Sequence, residues 1–122
     1  MDANALMMPV ELDVRVFDEL DRLLGVVDLV TPEAVVAELE KLAAGASREA
    51  VAASVGADLA RERCRTLTHD ASYADDAIVE LADDGECDYV VTNDGPLKRR
   101  LLAAGVPVIG IRGRNKLAIT RP

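Results

Sequence analysis

The sequence predicts an α/β domain built on a parallel sheet. Three observations carry that expectation. Short runs rich in Val, Ile and Tyr alternate with helical stretches of about ten residues or more, the pattern of βαβ units. A glycine stands just beyond four of the helical stretches, where a helix stop is favoured: Gly25, Gly45, Gly85 and Gly105. The length of 122 residues, half of them apolar, suffices for one core and not for two. Residues 1–122 are therefore expected to form a single domain. Its core is aliphatic, because tryptophan is absent and aromatics make up 2% of the chain.

The elements follow in order. From Leu12 to Leu24 the positions Leu12, Val16, Leu20, Leu23 and Leu24 keep helical spacing, and Gly25 ends the run. VVDLV (Val26 to Val30) reads as a strand. Thr31-Pro32 supplies an N-cap with proline at the first helical position, for a helix running to Gly45. Ser47 caps another helix through about Arg63; its stripe of Val51, Val55 and Leu59 is thin and alanine-rich, which places it on the outside. Cys64 to Thr68 is a weak strand and His69 to Tyr73 a loop. A helix from Ala74 to Asp84 precedes the clearest strand, YVVT (Tyr89 to Thr92). Asn-Asp-Gly-Pro then turns the chain into helix Leu97 to Ala104, and VPVIGI (Val106 to Ile111) returns as a strand. In such a sheet, ligands sit at the carboxyl ends of the strands.

Charge is divided unevenly. The formal net charge is −8, yet Asp94 is the last acid. Residues 95–122 carry Lys98, Arg99, Arg100, Arg112, Arg114, Lys116 and Arg121, a net +7, and residues 1–94 carry −15. A basic C-terminal segment on an acidic body suits a phosphate backbone; the equally weighted alternative is a solvated helix and tail. The 11 Arg against three Lys, and 13 Asp against nine Glu, suggest a protein kept soluble in concentrated salt, which a stability rising toward multimolar KCl would support. Cys64 and Cys87 stand alone and read as reduced, partly buried thiols. His69, the sole histidine, reads as solvated beside Asp70. No apolar run approaches the roughly 18 residues of a membrane span, and the start lacks a signal-peptide pattern. The expected setting is the cytoplasm, with no membrane partner.

Several carboxylates fall at strand ends or on helix faces. Asp2 opens the chain and Asp94 follows YVVTN directly. At about 100° per residue, Asp75 lies about 60° from Ile78, inside the apolar face of its helix, and Asp76 lies about 160° away, toward water. A carboxylate in an apolar interface needs a partner or a metal; the alternative is an acid in a helix first turn, favoured by the macrodipole. Glu38 and Glu40 lie on opposite edges of their helix, and periodicity does not choose between them. Converging carboxylates repel, and a hard divalent cation such as Mg²⁺ or Mn²⁺ relieves that conflict with oxygen ligands. No Ser-His pairing, GxSxG or Gly-rich phosphate loop is present, which disfavours nucleophilic hydrolases and P-loop NTPases.

Taken together, DANAL (Asp2 to Leu6), VVAEL (Val35 to Leu39), SYADDAI (Ser72 to Ile78) and VTNDGPLKRRL (Val91 to Leu101) resemble, in order, the four acidic motifs of the PIN-domain ribonucleases. The last two motifs, with VPVIGI following, are most similar to the PIN nucleases of ribosomal RNA processing, and VapC-type toxins are a more distant match. The resemblance implies a three-layer α/β/α domain with a central parallel sheet of about four or five strands. It implies metal-dependent cleavage of single-stranded RNA. Asp2, Glu38, Asp75 and Asp94 correspond to the catalytic, metal-holding acids, with Asp2, Asp75 and Asp94 on the principal Mg²⁺ or Mn²⁺ and Glu38 orienting water or a second ion. Asn4, Asp76, Thr92 and Asn93 are accessory. Members usually have apolar residues forming a central strand ahead of the first aspartate, where only Met1 stands here; either the chain is longer or the sheet is completed differently.

For substrate, Lys98, Arg99 and Arg100 directly follow Asp94, and Arg112, Arg114 and Lys116 extend the basic segment. These are the expected RNA-binding residues. Tyr73 and Tyr89 are the only tyrosines available for stacking. Three competing expectations remain: a PIN-like scaffold that docks RNA or a ribosome-assembly partner without cutting, a toxin held by an antitoxin, and a receiver-like phosphotransfer domain, disfavoured because no lysine follows a convincing strand. A homodimer is carried by analogy with the family.

Overall fold

A computed structural model describes residues 1–122. Six helices and five short strands alternate: α1 (Ala3–Glu11), α2 (Val16–Leu24), β1 (Val30–Pro32), α3 (Glu33–Ala43), α4 (Arg48–Arg63), β2 (Arg65–Leu67), α5 (Ala74–Asp83), β3 (Val90–Val91), α6 (Gly95–Ala103), β4 (Val108–Arg112) and β5 (Lys116–Thr120). This is an α/β chain. No helix is long and apolar enough to cross a membrane.

The sheet differs from the expected single parallel array. β1 pairs with β2 and β3 with β4, both parallel, and β5 returns antiparallel to β4. These form two separate sheets, β1-β2 and β3-β4-β5. Met1 and Asp2 lie between them. The Met1 nitrogen donates to the Val30 carbonyl (2.8 Å), and Asp2 N–H donates to the Val91 carbonyl (3.2 Å). In a parallel ladder the Met1 carbonyl looks for an amide at residue 32, which is proline and has none. The Thr31 hydroxyl supplies the missing donor at 2.9 Å.

That use of Thr31 overturns its expected role as the α3 cap. Pro32 is the N-cap, without a side-chain bond. Instead His69 Nε2 accepts from Ala34 N–H at 3.0 Å, while Nδ1 lies 2.8 Å from the Ala71 carbonyl. His69 is therefore half-buried and bonded at both ring nitrogens, not solvated. An acceptor role at Nε2 places the ring N–H at Nδ1, facing the Ala71 carbonyl.

The helix expected from Leu12 begins only at Val16, because Asp13 takes a left-handed φ of 54° and Arg15 is non-helical. Residues 3–11 form α1, although Pro9 lies inside it. Of VVDLV only Val30 is in a strand, and Val26 is fully exposed. Helix α4 reverses the expected burial. Ala50, Ala52, Ala53, Gly56, Ala57 and Ala60 are buried, whereas Val51 and Val55 face solvent. Small residues let helices approach closely, and a Cβ added at Gly56 would stand 3.1 Å from the Leu6 carbonyl oxygen of α1 and 3.3 Å from Leu39 Cδ2 of α3. The C-terminal basic segment is neither a solvated helix nor a free tail after residue 107; it is the β4–β5 hairpin, turned by Gly113 at φ 70°.

The core gathers α1, α2, α3, α4 and α6 with β3 and β4, through Leu6, Met8, Leu20, Val35, Leu39, Ala53, Val91, Leu97, Leu101 and Ile109. Cys64 and Cys87 are free and half-buried, and burial pushes both thiols up from their ordinary range.

Candidate active site

The carboxyl end of β3 and the residues beside it set the site. Asp2 is extended (φ −86°, ψ 173°) and caps α1, its Oδ1 accepting from Ala5 N–H at 2.8 Å. The chain thus turns from a strand-like stub into a helix at this residue. Its other oxygen accepts from the Thr92 hydroxyl, and the Thr92 Oγ1 in turn accepts from Asp94 N–H at 3.0 Å. Asp94 caps α6 through Leu97 N–H at 2.9 Å. Thr92, with no exposure, therefore joins the first acid to the last. It was expected as an accessory residue, and the structure gives it a specific positioning contact.

Glu38 and Asp75 approach from α3 and α5. Both are exposed and neither makes a hydrogen bond or ion pair. The helical-face expectation for Asp75 is corrected here: it is not inside an apolar interface. Asp75 is the second residue of α5, and side chains at a helix start tilt past its N-terminus, out of the helix-packing layer. Asp76 faces water as expected and pairs with Arg100 at 2.9 Å. On α3, Glu40 is drawn away to Arg61 of α4 at 3.0 Å, which leaves Glu38 as the unengaged acid of the pair.

Electrostatics ties the four acids together. Burial pushes Asp2 up to about 6 against the Thr92 and Ala5 hydrogen bonds, with Asp75 adding to the rise. Glu38 is raised by burial and then by Asp75. Asp75 is raised by partial burial, then by Asp94, with Arg100 opposing. Asp75 is thus the common neighbour of Asp2, Glu38 and Asp94. Repulsion of this kind adds to burial in disfavouring the charged forms of Asp2, Glu38 and Asp75.

The donor chemistry fits a hard divalent ion, being all oxygen, with no cysteine and no histidine in the group. The arrangement is open: no three His, Cys, Asp or Glu side chains stand close enough to hold one metal ion. Asp2 and Asp94 are fixed by their caps, whereas Asp75 and Glu38 are exposed and make no hydrogen bond or ion pair. Asn4 is exposed on α1 and Asn93 exposed beside Asp94, neither with a side-chain hydrogen bond.

The basic residues lie on two elements at this end. Lys98, Arg99 and Arg100 are on α6. Arg112, Arg114 and Lys116 are exposed around the tip of the β4–β5 hairpin. Because β4 runs parallel to β3 with Ile109 opposite Val91, that tip projects beyond the strand end that presents Asp94. Gly110 makes the approach possible: a Cβ there would stand 3.0 Å from the Thr92 carbonyl oxygen.

An acid-lined strand end on this α/β topology defines the class. The family model of the PIN like domain matches residues 1–114, and the chain belongs to that family. Among curated proteins it is similar to the rRNA-processing protein fcf1 of Schizosaccharomyces pombe, 36% identical over 90 residues, which is 73% of this chain and 44% of that protein. The chain thus spans under half the length of that relative. Among solved structures it is similar to the PIN domain endonuclease Utp24, with a TM-score of 0.79, 29% identity, and coverage of 99% of this chain and 89% of that one.

Proposed function

We propose that this chain is a metal-dependent endoribonuclease that cleaves single-stranded RNA, acting in ribosomal RNA processing. The observation that carries the reading is the position of Asp75 as a charged neighbour of Asp2, Glu38 and Asp94, acids from separate segments; burial and then this like charge raise the proton affinity of Asp2, Glu38 and Asp75. Names of the relatives supply the direction: one is an rRNA-processing protein and the other an endonuclease.

Asp2, Asp75 and Asp94 would hold a Mg²⁺ or Mn²⁺ ion. A cation held there supplies an acidified water and neutralises charge on the scissile phosphate. The residues themselves do the rest. Asp2 and Asp94 are kept rigid by the Thr92 hydroxyl and by their helix caps. Glu38, exposed and without a hydrogen bond or ion pair, would accept a hydrogen bond from the attacking water. Lys98 and Arg99 of α6, with Arg112, Arg114 and Lys116 of the hairpin, grip phosphates on either side; Arg100 shares its charge with Asp76. RNA is the partner these groups suit.

Cleavage of labelled RNA tests the reading, with Mn²⁺, Mg²⁺ or EDTA, for the wild type and Asp94→Asn. Cutting that needs the metal and disappears in the variant is expected; metal-independent cutting, or equal cutting by the variant, overturns it. One observation favours a second reading, an RNA- or ribosome-docking scaffold that does not cut: no three acids are within reach of one ion. RNA binding without cleavage at any metal concentration would select it.

A further inference from the structure

The four acids of the site are held in two different ways. Asp2 and Asp94 are themselves the N-caps of α1 and α6, so each is fixed by the helix it starts. Glu38 and Asp75 ride on α3 and α5, and neither helix is capped by the side chain of its own N-cap residue, Pro32 or Tyr73. The spacing of Glu38 and Asp75 is therefore set by whatever holds these two helix starts together.

The segment between β2 and α5 does so through two side chains. Glu80 of α5 accepts Asp70 N–H at Oε2 (2.8 Å) and Ala71 N–H at Oε1 (3.1 Å), so one carboxylate clasps two successive amides and binds the loop to α5. The half-buried His69 ring then spans from this loop to α3, with Nδ1 2.8 Å from the Ala71 carbonyl and Nε2 accepting Ala34 N–H at 3.0 Å. That second contact is the one hydrogen bond between the loop and α3. It satisfies an amide that a helix start leaves without an intrahelical acceptor. Glu38 stands one helical turn beyond Ala34, on the same face. At the other end, Ala71 lies two residues before the N-cap of α5, and Asp75 is the second residue of that helix. The imidazole suits the link because it is a rigid plane with a donor at one nitrogen and an acceptor at the other.

We propose that His69 is a positioning residue: its ring ties the first turn of α3 to the loop that opens α5, and so holds Glu38 at a fixed spacing from Asp75. The consequence for turnover rests on the nuclease reading; the tie itself does not. Without the ring, Glu80 still clasps the loop to α5, while the start of α3 loses its cap and its link to that loop. A reacting group displaced by about 1 Å costs on the order of 100-fold in rate. Substrate affinity is not expected to follow, because the phosphate-gripping bases lie on α6 and the β4–β5 hairpin.

The parent alone gives the first test. His69 is the sole histidine, so its ring nitrogens are observed without overlap in a long-range ¹H–¹⁵N spectrum of the metal-free protein at pH 8. A proton on Nδ1 and a bare Nε2 are expected, and a proton on Nε2 overturns the tie; this arm needs no substitution. In His69→Ala the Ala34 amide exchanges faster by about tenfold or more, and His69→Gln, whose amide oxygen can take the place of Nε2, restores its protection. For Mn²⁺-dependent cleavage, kcat falls by about 10- to 100-fold in His69→Ala with KM within about twofold, and His69→Gln recovers kcat to within about threefold of the parent. In a Glu38→Gln background the His69→Ala change costs less than about twofold, since the carboxylate it would misplace is already gone. A fall in Tm with kcat per folded molecule unchanged, or the full loss in the Glu38→Gln background, overturns the positioning role. A parent that does not cut removes the nuclease reading and the effect on turnover with it, while the ring spectrum and Ala34 exchange still decide the tie.

Discussion

Two buried carboxylates stand at different edges of this molecule, and their environments drive them in opposite directions. Asp2 is 4% exposed and Glu19 7%. Burial pushes Asp2 up to about 6, whereas Arg22 and the Leu117 amide hold Glu19 down at about 2. Glu19 receives Arg22 Nη2 at 2.8 Å and Nε at 3.0 Å, and Leu117 N–H at 2.9 Å. It fastens α2 to the start of β5. Asp2 receives only a hydroxyl and one amide, and its charged neighbours include Asp75. The partners decide the direction: a fork of donors outweighs burial at Glu19, whereas at Asp2 burial prevails over two hydrogen bonds and the Asp75 charge adds to it.

The comparison can be broken at either end. The largest expected effect is on turnover: Asp75→Asn lowers Mn²⁺-dependent cleavage by roughly 10³-fold or more, while the metal-free Tm stays level or rises. A variant that cuts like the parent removes Asp75 from the site. Glu19→Ala has the reverse signature. It removes the carboxylate from the α2–β5 joint and leaves Arg22 only the Leu117 carbonyl at 2.9 Å, so Tm falls by roughly 5–10 °C while cleavage per folded molecule is retained.

The pH dependences run oppositely. Asp2 has a folded value above its ordinary 3.8, so its stabilising contribution is complete below about 3.8 and is lost as pH rises through about 6. The charged form costs on the order of 3 kcal/mol at neutral pH. Asp2→Asn should remove that limb of a Tm-versus-pH curve and raise metal-free Tm at pH 8. Glu19 lies below its ordinary 4.5, so its contribution is present above 4.5 and is lost as pH falls toward 2. Glu19→Gln should flatten only that acid limb. Curves of the same sign for the two residues would void the contrast. The smallest effect is Gly110→Ala, whose Cβ meets the Thr92 carbonyl oxygen at 3.0 Å. Displacing Thr92 disturbs Asp2 and Asp94 together, and turnover should drop by about tenfold or less with a Tm loss of a few degrees.

What the sequence made legible was local or patterned. Helix stops at Gly25, Gly85 and Gly105, the Ser47 cap (Ala50 N–H to Oγ, 3.2 Å) and the strand-to-helix turn at Asp94 were all written in neighbouring residues. What escaped depended on partners far away. The burial of α4 is set by how near α1 and α3 come, so its alanines mattered more than its valines. The cap of α3 comes from His69, 35 residues along the chain, and no local signal announces it. Glu38 and Glu40 were equivalent by periodicity; the family motif VVAEL selected Glu38, and the Arg61 pairing of Glu40 separates them in the structure. The hairpin β4–β5 was hidden because Arg112, Arg114 and Lys116 read as a tail when their strand neighbours are not known.

The central claim is that the acids at the carboxyl end of β3 form one cation site. The most direct measurement is the shift of Tm with Mn²⁺ concentration at pH 7.5 for the parent, Asp75→Asn and Glu19→Gln. A cation bound only by the folded chain must raise Tm progressively with concentration, and the account predicts that rise for the parent and Glu19→Gln and its loss in Asp75→Asn. No rise in the parent, or an equal rise in Asp75→Asn, contradicts it.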